Sequence, residues 1–180
     1  MNINREKLRE ILTRMGQALK RPTALCLIGS APGILAGQMD RNTADIDVWR
    51  PMSKYTDDDL EAACAEAGLR FDPKGDVDDD DIYIQIVEPG IVALPENFEP
   101  YVAATFGNLD IVIPPASAIA ASTLVRASPQ DVEDIGWWMR HRALTVDEIA
   151  AAIRQISVPS DRETAMENLV YVRLLEKRRP

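Results

Sequence analysis

The stretch from Leu25 to Trp49, LCLIGSAPGILAGQMDRNTADIDVW, constrains this chain more than any other. Ala24-Leu25-Cys26-Leu27-Ile28 is an apolar run short enough for a buried strand, and Gly29-Ser30 stops it. Pro32 suits the first turn of a helix, which the sequence places over Gly33 to Met39. A second extended run follows, Ala44-Asp45-Ile46-Asp47-Val48-Trp49. In such a run Asp45 and Asp47 point to one face, and Ile46 and Val48 to the other. Adjacent carboxylates repel, so a fold keeps the pair mainly where a cation or a proton sits between them. Hard divalent cations such as Mg²⁺ take oxygen ligands of this kind and usually leave their remaining positions to phosphate oxygens.

The Gly29-Ser30 corner supplies the complementary half. A glycine lets a phosphate approach the backbone, and a helix N-terminus presents N–H groups and a partial positive charge. Two plainer readings stand beside this one. The carboxylates can simply line a solvated strand edge, and the corner can be a routine strand-to-helix connection.

A strand, Gly-Ser, a helix and a strand bearing Asp-x-Asp together resemble the nucleotidyltransferase superfamily, the DNA-polymerase-beta-like fold. The longer string Arg41-Asn42-Thr43-Ala44-Asp45-Ile46-Asp47 is most similar to its bacterial branch of abortive-infection toxins and related uncharacterised domains. The resemblance implies transfer of a nucleoside monophosphate from a nucleoside triphosphate to a hydroxyl acceptor with Mg²⁺. Asp45 and Asp47 would hold the metal, Gly29 and Ser30 the triphosphate, and Arg41, Thr43 and Arg126 would complete the phosphate-binding set. In this superfamily a third carboxylate sits on a neighbouring strand. By element order the strand Ile82 to Val87 should carry it, yet its central polar residue is Gln85. Asp110, between Leu109 and Ile111, is the leading candidate; Glu88, Asp81 or no third acid at all remain open. The resemblance resumes at Ala120 to Ile135, similar to a Ser-Lys-Leu-x-Arg, Asp-x-x-Asp-Ile motif, with Thr123 where a phosphate-seeking lysine should stand. Arg126, Asp131 and Asp134 match that motif, and read equally well as a first-turn charge at Asp131 and an Arg126–Asp134 pair. These departures motivate a second reading, a binding or regulatory module that keeps the fold without the chemistry, in a toxin–antitoxin-like role with a protein partner or as a homodimer.

Composition bounds the rest. A net charge of −9 over 180 residues argues against broad binding to a large nucleic acid, but not against one nucleotide. No apolar run reaches membrane-span length, and Met1 to Arg5 lacks a signal-peptide core, which makes the cytoplasm the expected location. Cys26 and Cys64 have no metal-ligand spacing, and the single histidine, His141, argues against histidine-based catalysis.

The remaining pattern predicts an α+β fold, a nucleotidyltransferase-like mixed sheet flanked by helices with a C-terminal helical part. Residues 1–115 form the α/β core and 116–180 the helices, expected to pack on it as one structural unit. Leu8, Ile11, Leu12, Met15 and Leu19 predict an amphipathic helix over residues 4–20 with Asn4 as its cap. Thr56 starts a helix that Gly68 ends, its first-turn acids complementing the helix dipole. The run Asp76 to Asp81 reads as a solvated loop, and Lys54 and Tyr55 as loop candidates for substrate contact. Ile82 to Val87 and Leu109 to Ile113 read as strands, and Glu96 to Thr105 as a short irregular helix. Helices then follow from Pro115 or Ser117 to Arg126, from Ser128-Pro129 to His141, and from capping boxes at Thr145 and Ser160. Of Trp137 and Trp138, adjacent on one helix, only one can face the core.

Overall fold

The structure, a computed structural model, describes residues 3–75, 77–78 and 81–177. Asp76, Asp79 and Asp80 of the acidic run, and Arg178 and Arg179 of the basic tail, lie outside the described residues. The chain divides into two compact units, one of residues 1–89 and 100–113, the other of residues 90–99 and 114–180.

The first unit is an α+β domain. Its first helix, α1 (Arg5–Ala18), is capped by Asn4, whose side chain accepts the Lys7 amide at 2.9 Å. The apolar stripe of α1 is fully buried, as its helical spacing requires. Among the described residues six strands follow: β1 (Thr23–Cys26), β2 (Asp45–Trp49), β3 (Arg70–Phe71), β4 (Tyr83–Val87), β5 (Tyr101–Phe106) and β6 (Leu109–Ile113). Between them lie two helices, α2 (Ala31–Ala36) and α3 (Asp57–Ala67).

The strands form two three-stranded sheets, ordered β1-β6-β5 and β2-β4-β3. β1 pairs parallel to β6, and β5 antiparallel to β6; in the second sheet all pairs are parallel. An antiparallel bridge between Leu27 and Val48 joins the end of β1 to β2. Ile46, Val48 and Ile84 are fully buried in one core with α1, α2 and α3. The burial of Ile46 and Val48 turns Asp45 and Asp47 to the opposite, half-exposed face.

The expected irregular helix over Glu96 to Thr105 is corrected by β5. Phe106 and Leu109 pair across a two-residue turn, Gly107-Asn108, with Gly107 at φ +58. Such a turn needs a left-handed residue and fixes a hairpin. This hairpin sits on α1 at Gly16: the Asn108 amide donates to the Gly16 carbonyl at 3.1 Å, and its side chain to the Leu19 carbonyl at 2.8 Å. A Cβ at Gly16 would collide with the Phe106 carbonyl, so only glycine admits the turn this close.

In the second unit, α4 (Ala116–Thr123), α5 (Pro129–His141), α6 (Val146–Ile153) and α7 (Pro159–Lys177) account for the helical prediction. Capping boxes at Ser128 with Asp131 and Thr145 with Glu148 start α5 and α6. The box expected at Ser160 is not a cap, because α7 begins one residue earlier at Pro159 and Ser160 already lies in its first turn. Trp138 is buried, while Trp137 stacks on His141 with ring centroids 4.5 Å apart. Among the described residues no helix is long and apolar enough to cross a membrane.

Candidate functional site

β2 presents Asp45 and Asp47 side by side, with Cα atoms about 6.6 Å apart as strand geometry sets them. Thr43, just ahead of β2, pairs its backbone with Ile3 in both directions, at 2.7 and 3.1 Å. From that fixed position its hydroxyl donates to the Asp45 carboxylate at 2.9 Å. Thr43 therefore orients one carboxylate.

The Gly29 corner meets the other. The Ile28 amide donates to the Asp47 carbonyl at 3.0 Å, so the end of β1 lies against β2 at the level of Asp47. Gly29 then turns at φ +66, a conformation that glycine alone adopts without strain. A Cβ at this position would lie 2.5 Å from Asp47 Oδ2. The missing side chain is what lets backbone and carboxylate touch. Ser30 caps α2 through its backbone, its carbonyl accepting the Ile34 amide at 3.2 Å, while its hydroxyl makes no capping bond. α2 spans Ala31–Ala36 rather than reaching Met39, because Gly37 turns left-handed at φ +108 and closes it. A helix of six residues offers only a short dipole, so close approach at Gly29 is the stronger part of this corner. Arg41 follows, its guanidinium donating to the Asn42 carbonyl at 3.2 Å.

The neighbouring strand completes the face. In the parallel register Tyr83 lies opposite Asp45 and Gln85 opposite Asp47, so all four side chains share one side of the sheet. Gln85 is exposed and Tyr83 half-buried. Burial pushes the Tyr83 phenol above its ordinary value, and the charges of Asp45 and Asp47, with a hydrogen bond to Asp45, push the same way. Tyr83 went unnoticed in the sequence because only the β2–β4 register brings it there. β3 extends the same row, placing Arg70 opposite Tyr83. The Arg70 guanidinium holds Asp81 at 2.6 Å and draws its carboxyl below the usual range.

The remaining candidates have partners of their own. Asp110 lies on β6 opposite Ala24, where its carboxylate accepts the Thr105 hydroxyl at 2.7 Å. Ala24 precedes Ile28 by four residues, so Asp110 sits about 13 Å down the strand from the level of Asp47. Arg126 belongs to the second unit, where it grips Asp131 with two hydrogen bonds of 2.8 and 2.6 Å. Asp131 is only 2% exposed. Desolvation alone would raise its pKa, but the Arg126 and Ser128 hydrogen bonds prevail and hold it below the usual carboxylate value. Thr123 spends its hydroxyl on the Ile119 and Ala120 carbonyls of its own helix, both at 3.1 Å. Lys54 pairs with Ala24 through its backbone, and Tyr55 packs on the core beneath the Arg50 guanidinium, 4.5 Å from its ring.

Two carboxylates on one open face suit a single Mg²⁺, which prefers one or two protein carboxylates and fills its other positions with water and phosphate. They do not suit an all-protein cage. Among the described residues no group of three or more His, Cys, Asp or Glu could hold a metal.

Residues 6–174 match the model of the family described as nucleotidyltransferase of unknown function (DUF6036). No curated protein and no solved structure matches the chain. With a match over nearly the whole chain, and a Gly-Ser corner set against an Asp-x-Asp strand, the chain belongs to this nucleotidyltransferase family.

Proposed function

We propose that the chain binds a nucleoside triphosphate with Mg²⁺ and transfers the nucleoside monophosphate to a hydroxyl acceptor, the α–β phosphate bond breaking as pyrophosphate leaves. The observation that supports this reading is the close approach of Gly29 and Asp47, which sets a side-chain-free backbone turn against a carboxylate pair. Asp45 and Asp47 would hold the metal, with Thr43 keeping Asp45 oriented. When bound, Mg²⁺ supplies Lewis-acid stabilisation of charge on the phosphate oxygens. The Gly29 backbone would receive the triphosphate, and Ser30 and Arg41, within the same connection, would be donors towards it. Catalysis of this class rests on positioning and charge neutralisation, so a rigid corner and an oriented carboxylate are what the protein must supply. Asp110 stands outside this proposal because it lies beside Ala24, away from the level of Asp47, and Arg126 because it grips Asp131 within the second unit.

A net charge of −9 favours a small molecule or a protein as acceptor over a large nucleic acid. The test is calorimetric titration with a nucleoside triphosphate, with and without Mg²⁺, on the native protein and on Asp45→Asn/Asp47→Asn. Metal-dependent binding lost in the double variant is the expected result; equal binding by both proteins would overturn the proposal.

A second reading is a binding or regulatory module of the abortive-infection-like branch, toxin–antitoxin-like, acting through a protein partner or as a homodimer. The occupied Thr123 hydroxyl and the uncharged Gln85 favour it. Here the nucleotide binds and is released unchanged. Label from an α-phosphate-labelled nucleoside triphosphate would stay in the triphosphate, whereas transfer moves it.

A further inference from the structure

We propose that Gln85 limits the Asp45–Asp47 pair to one divalent cation, so that the site is built to hold a nucleotide–metal complex with a single metal. This inference rests on the reading of the site given above and adds its metal stoichiometry.

The register is the evidence. Gln85 stands directly opposite Asp47, on an adjacent strand about 4.8 Å away and on the same face of the sheet. No other position on β4 is so well placed to contribute a ligand beside Asp47. Tyr83 lies one pair earlier, beside Asp45, and Val87, one pair later, is buried opposite Trp49. Ile84 and Ile86 point to the opposite face. Glu88 follows the end of β4, and Asp81 precedes its start and is held by Arg70.

Charge then decides how many cations the face holds. Two metals about 3.5–4 Å apart repel strongly and need bridging and terminal carboxylates to offset them. Here two carboxylates face one neutral amide and one phenol. Asp45 and Asp47 with the triphosphate oxygens serve one divalent cation; a second, needing a further protein ligand beside Asp47, would rest on an amide oxygen without charge, a weak ligand for a hard ion. Gln85 is exposed and free of core packing, so its identity can change without loss of the fold.

The test is electron paramagnetic resonance titration of Mn²⁺ into the full chain in the presence of a non-hydrolysable nucleoside triphosphate analogue. The native protein and Gln85→Leu are expected to bind one Mn²⁺ per chain. Gln85→Glu, of nearly the same shape, is expected to bind two and to show the spin coupling of a close metal pair. Two coupled Mn²⁺ ions in the native protein would overturn the inference while leaving the nucleotide reading intact, as would a single ion in Gln85→Glu. No Mn²⁺ bound by any of the three proteins would overturn the nucleotide reading itself, and this inference with it.

Discussion

Replacing Gly29 with alanine separates the two things this residue does. Its backbone turns at φ +66, where an L side chain costs about 1–2 kcal/mol. Its absent Cβ also leaves space that would otherwise lie 2.5 Å from Asp47 Oδ2, well inside the 3.4 Å at which ordinary contact begins. Gly68 isolates the first effect: it turns at φ +79 with nothing within 4 Å of an added Cβ. Gly68→Ala should therefore cost about 1–2 kcal/mol in urea unfolding and leave binding untouched. Gly29→Ala should cost that plus about 1 kcal/mol for an Asp47 side chain forced off its rotamer. The carboxylate end is flexible, so the clash displaces Asp47 rather than unfolding the sheet. Displacing a metal-holding carboxylate should weaken binding of the Mg²⁺–nucleotide complex by about 10–100-fold, as loss of an orienting partner does. Calorimetry on both variants at matched folded fraction reads the difference. Native affinity in Gly29→Ala, or an equal loss in Gly68→Ala, would refute the reasoning.

Four further outcomes follow from individual contacts. Thr43→Val removes the hydroxyl that holds Asp45 and should cost about 1 kcal/mol of stability together with a measurable loss of Mn²⁺ affinity by titration. Asp131→Asn breaks the Arg126 fork and the Ser128 cap and should cost about 1–3 kcal/mol in denaturant unfolding at neutral pH. Because the Asp131 pKa is lowered by folding, its contribution is present above the ordinary carboxylate value of 3.8 and is lost as pH falls below it. The acid limb of the native stability curve should flatten in this variant. Gly16→Ala drives a Cβ into the Phe106 carbonyl and should cost about 3 kcal/mol, seen as an early urea midpoint. Burial raises the Cys26 and Cys64 thiols to about 12 from 9.0, so both should resist thiol reagents until the chain unfolds. With both pKa values raised by folding, the stabilisation is full below pH 9 and declines as pH climbs towards 12, which thermal melts across that range would show.

How much of this was readable beforehand depended on whether the cause was local. The alternation in Asp45-Ile46-Asp47-Val48 states which residues face the core, and the structure buries Ile46 and Val48 completely. Asn4, Ser128 and Thr145 announce helix starts through side chains that bond within three residues. β5 was illegible because Tyr101 to Ala103 are exposed, so no apolar period marks the strand; its place comes from pairing with β6. The location of Asp110 was equally hidden. Its apolar neighbours mark a strand, but only sheet order reveals that the strand runs beside β1 in the other sheet. Arg126 has its fork on Asp131, five residues on, because the α5 cap turns that carboxylate back towards it. The Gln85–Asp47 register joins residues far apart in sequence, and no local pattern encodes it.

The most direct test of the central claim is a crystal structure of the protein with Mn²⁺ and a non-hydrolysable nucleoside triphosphate, using anomalous scattering to locate the metal. The expected result is an anomalous peak bound by Asp45 and Asp47, with triphosphate oxygens against the Gly29 turn. A metal and triphosphate bound elsewhere on the chain, with Asp45 and Asp47 facing only solvent, would contradict it.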